Sequence, residues 1–156
     1  MFDTVDDLLD FMSDFAYAEF DYLHSPEETY SLLQGSCHDQ TLFELQELSD
    51  MGLNPQAKFI IAVDEYGQGL ETHSFVYYEE NGKWYWIENA WEDMQGINEF
   101  DTYGDMLDAV MYAFGSRLPF DTLYVADFIP EEHDIGEDLD TLVDICMNSA
   151  EEYIID

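Results

Sequence analysis

The chain has 156 residues, of which 37 are Asp or Glu and 3 are Lys or Arg, a formal net charge of −34 with histidine neutral. Nucleic-acid binding depends on Lys and Arg neutralising phosphates, so three scattered cations, Lys58, Lys83 and Arg117, exclude direct nucleic-acid binding, and the same repulsion excludes an anionic membrane surface. At 47% hydrophobic and 16% aromatic residues the composition is too apolar for disorder, and the length predicts one acidic domain over residues 1–156.

The opening MFDTVDDLLDF carries acids where a secretory signal carries a basic region and an apolar run, and no stretch approaches the roughly 20 apolar residues of a membrane span. A cytoplasmic location is expected. Cys37 and Cys146, far apart in sequence, predict reduced thiols rather than a disulfide framework.

Val5, Leu8, Leu9, Met12, Phe15 and Ala16 follow helical spacing with acids on the opposite face, predicting a first amphipathic helix. Ser25-Pro26-Glu27-Glu28 reads as a helix start, and that second helix is predicted to end at Gly35. A third helix starts close to Cys37, runs through Leu42, Leu45 and Leu48 to Gly52, and cannot pass Pro55. Phe59–Val63, His73–Tyr78 and Trp84–Ile87 are rich in β-branched and aromatic residues and predict strands, the last two joined by an Asn81-Gly82 hairpin turn. A further helix is predicted from Thr102 to about Phe114, a break at Leu118-Pro119, a strand over Leu123–Ile129, and a helix from Gly136 to the end. This order predicts an α+β domain with N-terminal helices on a central antiparallel sheet and C-terminal helices.

Cys37 follows Gln34-Gly35-Ser36 at a predicted helix N-terminus, where free backbone N–H groups and the helix dipole favour a thiolate and can hold an oxyanion. A thiol nucleophile needs a base, and the base an orienting group. If Asn81 and Gly82 form a two-residue turn, Glu80 faces Lys83 and Phe75 faces Glu88. Alternation then puts His73, Phe75, Trp84, Trp86 and Glu88 on one face, with Glu88 diagonal to His73 and Asn89 on the other face; a one-residue slip would reverse that choice.

Gly35-Ser36-Cys37-His38-Asp39, with the helix that ends at Met51-Gly52-Leu53-Asn54-Pro55, resembles the Gly-x-Cys helix of transglutaminase-like proteins. His73-Ser74-Phe75-Val76, Asn81-Gly82-Lys83-Trp84 and Ile87-Glu88 are similar to that family's histidine strand, return strand and acidic third member, so the resemblance covers Gln34 to Asn89. It implies a papain-like fold with Cys37 as nucleophile, His73 as base and Glu88 as orienting acid, acting by acyl transfer or hydrolysis on an amide bond of a peptide or protein. Glu88 stands where the family more often has Asp, and Gln34 is the one upstream side chain offered as an oxyanion donor.

The remaining residues have plainer readings. Cys146 sits in an apolar helical stripe and reads as core. His24 and His38 read as surface or boundary residues, and His133, among Glu131, Glu132 and Asp134, as part of a solvated loop. Tyr77, Tyr78, Trp84, Tyr85 and Trp86 read as sheet packing. Neither Asp64-Glu65-Tyr66-Gly67 nor Asp134-Ile135-Gly136-Glu137 has calcium-loop spacing, and no Cys or His pair has zinc spacing, so no metal or cofactor is expected. Two functions follow: a cysteine hydrolase or acyl transferase, or a catalytically silent acidic protein that occupies a basic nucleic-acid-binding partner by imitating DNA, as an anti-restriction or anti-defence inhibitor would. The net charge requires a cause of its own, because an enzyme gains nothing from self-repulsion of that size: a salt-rich cytoplasm is one candidate, and a basic partner explains the charge more directly.

Overall fold

The computed structural model describes residues 2–18, 22–63, 70–89, 94–115 and 122–153. The predicted break at Leu118-Pro119, the acidic segment Asp64 to Gly67 and the third cation, Arg117, lie outside the described residues.

The first helix, α1 (Val5–Met12), starts on the Thr4 hydroxyl, which accepts from the Asp7 amide. It stops short of the predicted Ala16. The Ser13 hydroxyl bonds the Asp10 carbonyl at 2.6 Å, and the Ala16 amide turns away to the Leu33 carbonyl, making a short strand β1 (Ala16–Tyr17). Helix α2 (Pro26–Leu32) has a capping box in which Ser25 and Glu28 each accept from the other's backbone N–H. It ends before the predicted Gly35, because Leu33 itself takes the left-handed turn at φ 53°. That releases Gln34–Gly35 as strand β2, parallel to β1.

Helix α3 (Cys37–Asp50) opens on a second capping box, Ser36 with Asp39, and is followed by Gly52 at φ 86°. Six strands then form one antiparallel sheet: β3 (Gln56–Val63), β4 (Leu70–Glu80), β5 (Lys83–Glu88), β6 (Gly96–Phe100), β7 (Thr122–Asp127) and β8 (Glu151–Tyr153), in the order β6-β5-β4-β3-β7-β8. Helix α4 (Tyr103–Gly115) lies between β6 and β7, and α5 (Leu139–Met147) between β7 and β8.

The two outermost strands, β6 and β8, were not predicted. Both are short and mix polar with apolar residues, as suits a sheet edge, so neither carries an apolar run to announce it. The predicted C-terminal helix likewise stops at Met147. Its last amides bond carbonyls three residues back and the chain returns along β7 as β8. The predicted strand over Leu123–Ile129 ends at Asp127, where Pro130 begins a single 3-10 turn.

Alternation along the strands divides the core. Phe59, Ile61, Val76, Tyr78 and Ile87 face one cluster with Leu8, Leu42 and Leu48, while Ile60, Phe75, Tyr77 and Trp86 face another with Met106 and Val110 of α4. The central strand β3 is buried on both sides, which is why it reads as an unbroken apolar run. The result is an α+β fold with an antiparallel sheet covered by helices on both faces. Among the described residues no helix is long and apolar enough to cross a membrane.

Candidate functional site

Asn81 and Gly82 have φ values of 55° and 79°, the two left-handed residues that a tight hairpin demands. The turn sets the register Glu80↔Lys83 through Val76↔Ile87. His73 lies further along β4, on the α4 face, with its ring stacked 5.9 Å from Phe114. Glu88 shares that face, and its Oε1 lies 3.0 Å from His73 Nε2 while accepting from Trp86 Nε1 at 3.2 Å. Asn89 falls on the opposite face, where its amide donates to the Glu44 carboxyl. The register therefore selects Glu88, and not Asn89, as the partner of His73.

Cys37 reaches this pair from the other side of the sheet. Pairing between β4 and β5 ends at Val76↔Ile87, whereas β4 continues back to Leu70, so one edge of β4 is left by its neighbour at the level of His73. The small pocket at that edge is lined from both faces, by Cys37, Thr41 and Ser74 on one side and by His73, Phe75 and Glu88 on the other. Cys37 and His73 both line it, near enough for each to shift the other's pKa. All three predicted site residues thus line one pocket.

Close local packing positions the thiol. The Asp39 carboxylate accepts from the backbone N–H of Ser36 at 3.1 Å and of His24 at 2.8 Å, and lies 3.2 Å from His24 Nδ1, which pins the helix start to the segment ahead of α2. A Cβ on Gly35 would stand 2.9 Å from Asp39 Cβ, so only glycine fits before the Ser-Cys pair.

The charges are set against burial. Burial pushes the Cys37 thiol up, but the charge and hydrogen bond of His38, followed by those of His73, outweigh it and hold the thiol well below its ordinary range. Burial pushes His73 down, yet the Glu88 charge and the bonds to Cys37 and Glu88 raise it to about 9. Both shifts run in the direction of a thiolate–imidazolium pair. Cys146 is the opposite case, raised to about 12 by burial and by the charges of Glu137 and Glu132.

Several sequence expectations are corrected here. Cys37 is only 7% exposed, less than a nucleophile open to substrate would be, because α3 packs against β4. The cavity beside it is about 10 Å³, room for roughly one water molecule. Gln34 does not line the pocket; Gln40 does, with its amide donating to the Gly35 carbonyl at 3.0 Å. His24 and His38 are buried, His24 against Asp39 and His38 against the hydroxyls of Ser74 and Thr72. The His133 side chain is also buried: Nδ1 lies 2.7 Å from Glu137 Oε2, and Nε2 lies 3.9 Å from Cys146 Sγ.

Glu44 was not anticipated at all. It lies two turns after Cys37 on the pocket side of α3, 3% exposed. Burial and the Glu88 charge push its carboxyl well above the ordinary range, with His73 opposing in part. The signal was the spacing Cys37, Thr41, Glu44, Leu48 along one helix face, hidden among 37 acids. Comparison with known proteins finds no matching family model and no matching curated protein.

Proposed function

We propose that this chain is a cysteine hydrolase or acyl transferase of the papain-like, transglutaminase-like kind, acting on amide bonds with Cys37 as nucleophile, His73 as base and Glu88 as orienting acid. The observation that carries the reading is the convergence of Cys37, His73 and Glu88 on one pocket, with Glu88 Oε1 3.0 Å from His73 Nε2, supported by a lowered thiol and a raised imidazole. With Nε2 on Glu88, Nδ1 is the nitrogen left for the sulfur. The Cys37 thiolate attacks the carbonyl carbon, and the backbone N–H groups of Cys37 and His38, which the Ser36–Asp39 capping box does not use, are the donors assigned to the oxygen that becomes negative. The imidazolium of His73 protonates the departing amine as the C–N bond breaks, leaving a thioester on Cys37. Water or an amine, deprotonated by the now neutral His73, then attacks the thioester, and the C–S bond electrons return to sulfur.

The test is a search for product amine from peptide amides together with mass-spectrometric detection of an acyl adduct. Adduct on Cys37 in the native chain, absent in Cys37→Ala and not formed from an amide in His73→Gln, which cannot protonate the departing amine, is the expected result. Turnover by a folded Cys37→Ala would overturn the mechanism.

A second reading has its own observation. The two described cations, Lys58 and Lys83, are already paired with Asp127 and Asp101, so the surface field is negative, and the thiol pocket holds only about 10 Å³. This favours a silent acidic protein in the cytoplasm that occupies the nucleic-acid site of a basic partner, such as a restriction or other defence nuclease. Displacement of duplex DNA from such a nuclease that survives Cys37→Ala, and fades toward 1 M salt where the screening length is about 3 Å, would select this reading.

A further inference from the structure

The sulfur of Cys37 has two imidazole neighbours, and the reading above uses only one. Cys37 Sγ lies 3.7 Å from both Nδ1 and Nε2 of His38, so it addresses the ring as a whole and not a single N–H. The ring cannot easily turn away. Its Nδ1 is 2.9 Å from Ser74 Oγ, its Nε2 is 3.1 Å from Thr72 Oγ1, and its plane stacks on Phe59 at 4.8 Å. Ser74 Oγ in turn meets Thr41 Oγ1 at 2.9 Å, closing a hydroxyl network behind the ring.

That network matters chemically. Hydroxyls accept as readily as they donate, so both ring nitrogens of His38 can be protonated and both N–H bonds remain satisfied. The carboxylates nearby are otherwise engaged. Glu88 bonds His73, Glu44 takes the Asn89 amide, Asp39 holds His24, and Glu137 holds His133. Tyr22 is the remaining titratable neighbour, across the small pocket it shares with His38, Asp39 and Glu137. Among the described residues, the ring's polar contacts are two hydroxyls and the sulfur, and of these the sulfur is the one that can carry the negative charge.

We propose that His38 is a second imidazole partner of Cys37, stabilising the anionic sulfur while His73 carries the proton to and from the reacting groups. The division has a mechanistic purpose. Once His73 has given its proton to the departing amine it no longer offers a positive charge, yet the sulfur must leave as an anion when the thioester is cleaved. His38, with no proton to transfer to substrate, keeps that leaving group stabilised through the second half of the cycle.

The inference rests on Cys37 being the nucleophile, and the experiment separates the two. Cysteine is labelled with ¹³C at Cβ, and its shift is followed against pH in the native chain, His38→Gln and His73→Gln; no reagent need enter the small pocket. The native thiol should titrate well below 9, His73→Gln should remain below 9, and His38→Gln should cut the thiolate-to-thiol ratio near neutrality by about tenfold or more, a shift of at least one pH unit. A native thiol with an ordinary titration removes the nucleophile reading itself. A low native titration left unchanged by His38→Gln overturns the role of His38 alone. Should His38→Gln not fold, His38→Phe, which keeps a ring to stack on Phe59, replaces it in the same measurement: the Cys37 thiol should titrate at least one pH unit higher than in the native chain, and an unchanged titration overturns the proposal.

Discussion

His73 and Glu44 are both buried titratable groups whose folded state favours the protonated form, charged for His73 and neutral for Glu44. His73 has its pKa raised from 6.5 to about 9, so its contribution to stability is complete below pH 6.5 and is lost as pH rises through about 9. The native chain should therefore lose more stability between pH 6.5 and 9 than His73→Gln does, by up to a few kcal/mol, measurable as urea midpoints across that range. Glu44 is an acid whose folded pKa is also raised, so the folded state favours its protonated form and stability falls as pH climbs above the unfolded carboxyl value. Glu44→Gln keeps the shape and a hydrogen-bonding amide without that loss. It should raise Tm, on the order of 1 kcal/mol or about 2–4 °C for a chain of this size, with the gain growing as pH increases. A gain confined to pH below 4 would show that Glu44 is not held neutral in the folded chain.

At the scale of elements, the start of α3 decides whether a nucleophile exists. Its capping box, its glycine and the Asp39–His24 contact all fix the same few residues, so the thiol is placed by backbone geometry more than by its own contacts. Ser36→Ala removes one side of the box and should cost about 1 kcal/mol. Gly35→Ala should cost more, because the new methyl group meets Asp39 Cβ, which is backbone-attached and cannot swing aside. Both should raise the Cys37 titration by loosening the first turn. A Gly35→Ala chain with native stability and native thiol titration would mean that the helix start is softer than this packing describes.

For the whole molecule, the net charge of −34 is the dominant long-range term. Ion pairs relieve little of it, since Lys58–Asp127 and Lys83–Asp101 are the described Lys–carboxylate pairs and both are at least partly exposed. Self-repulsion opposes the compact state and salt screens it, with a Debye length of about 30 Å at 0.01 M and 8 Å at 0.15 M. Melting temperature should accordingly rise by about 5 °C between those ionic strengths, as read by calorimetry. A flat response would imply that the acids are spread so widely that their mutual repulsion is already dissipated in water.

What the sequence determined by itself is whatever short-range chemistry dictates. Ser25-Pro26 and Ser36-Cys37 mark helix starts because caps act over three residues, and Asn81-Gly82 sets a two-residue turn because only such residues accept positive φ there. From that turn, the alternation of side chains was enough to put Glu88 and not Asn89 on the face of His73. The edge strands β6 and β8 were illegible because pairing, not composition, makes them strands. Only the tertiary structure could show where β5 leaves β4, and it is this gap that lets a thiol on one side of the sheet meet an imidazole on the other. The fates of His38 and Glu44 were hidden for the same reason: their partners Ser74, Thr72 and Asn89 are more than thirty residues away, and burial is a property of packing that no local spacing records.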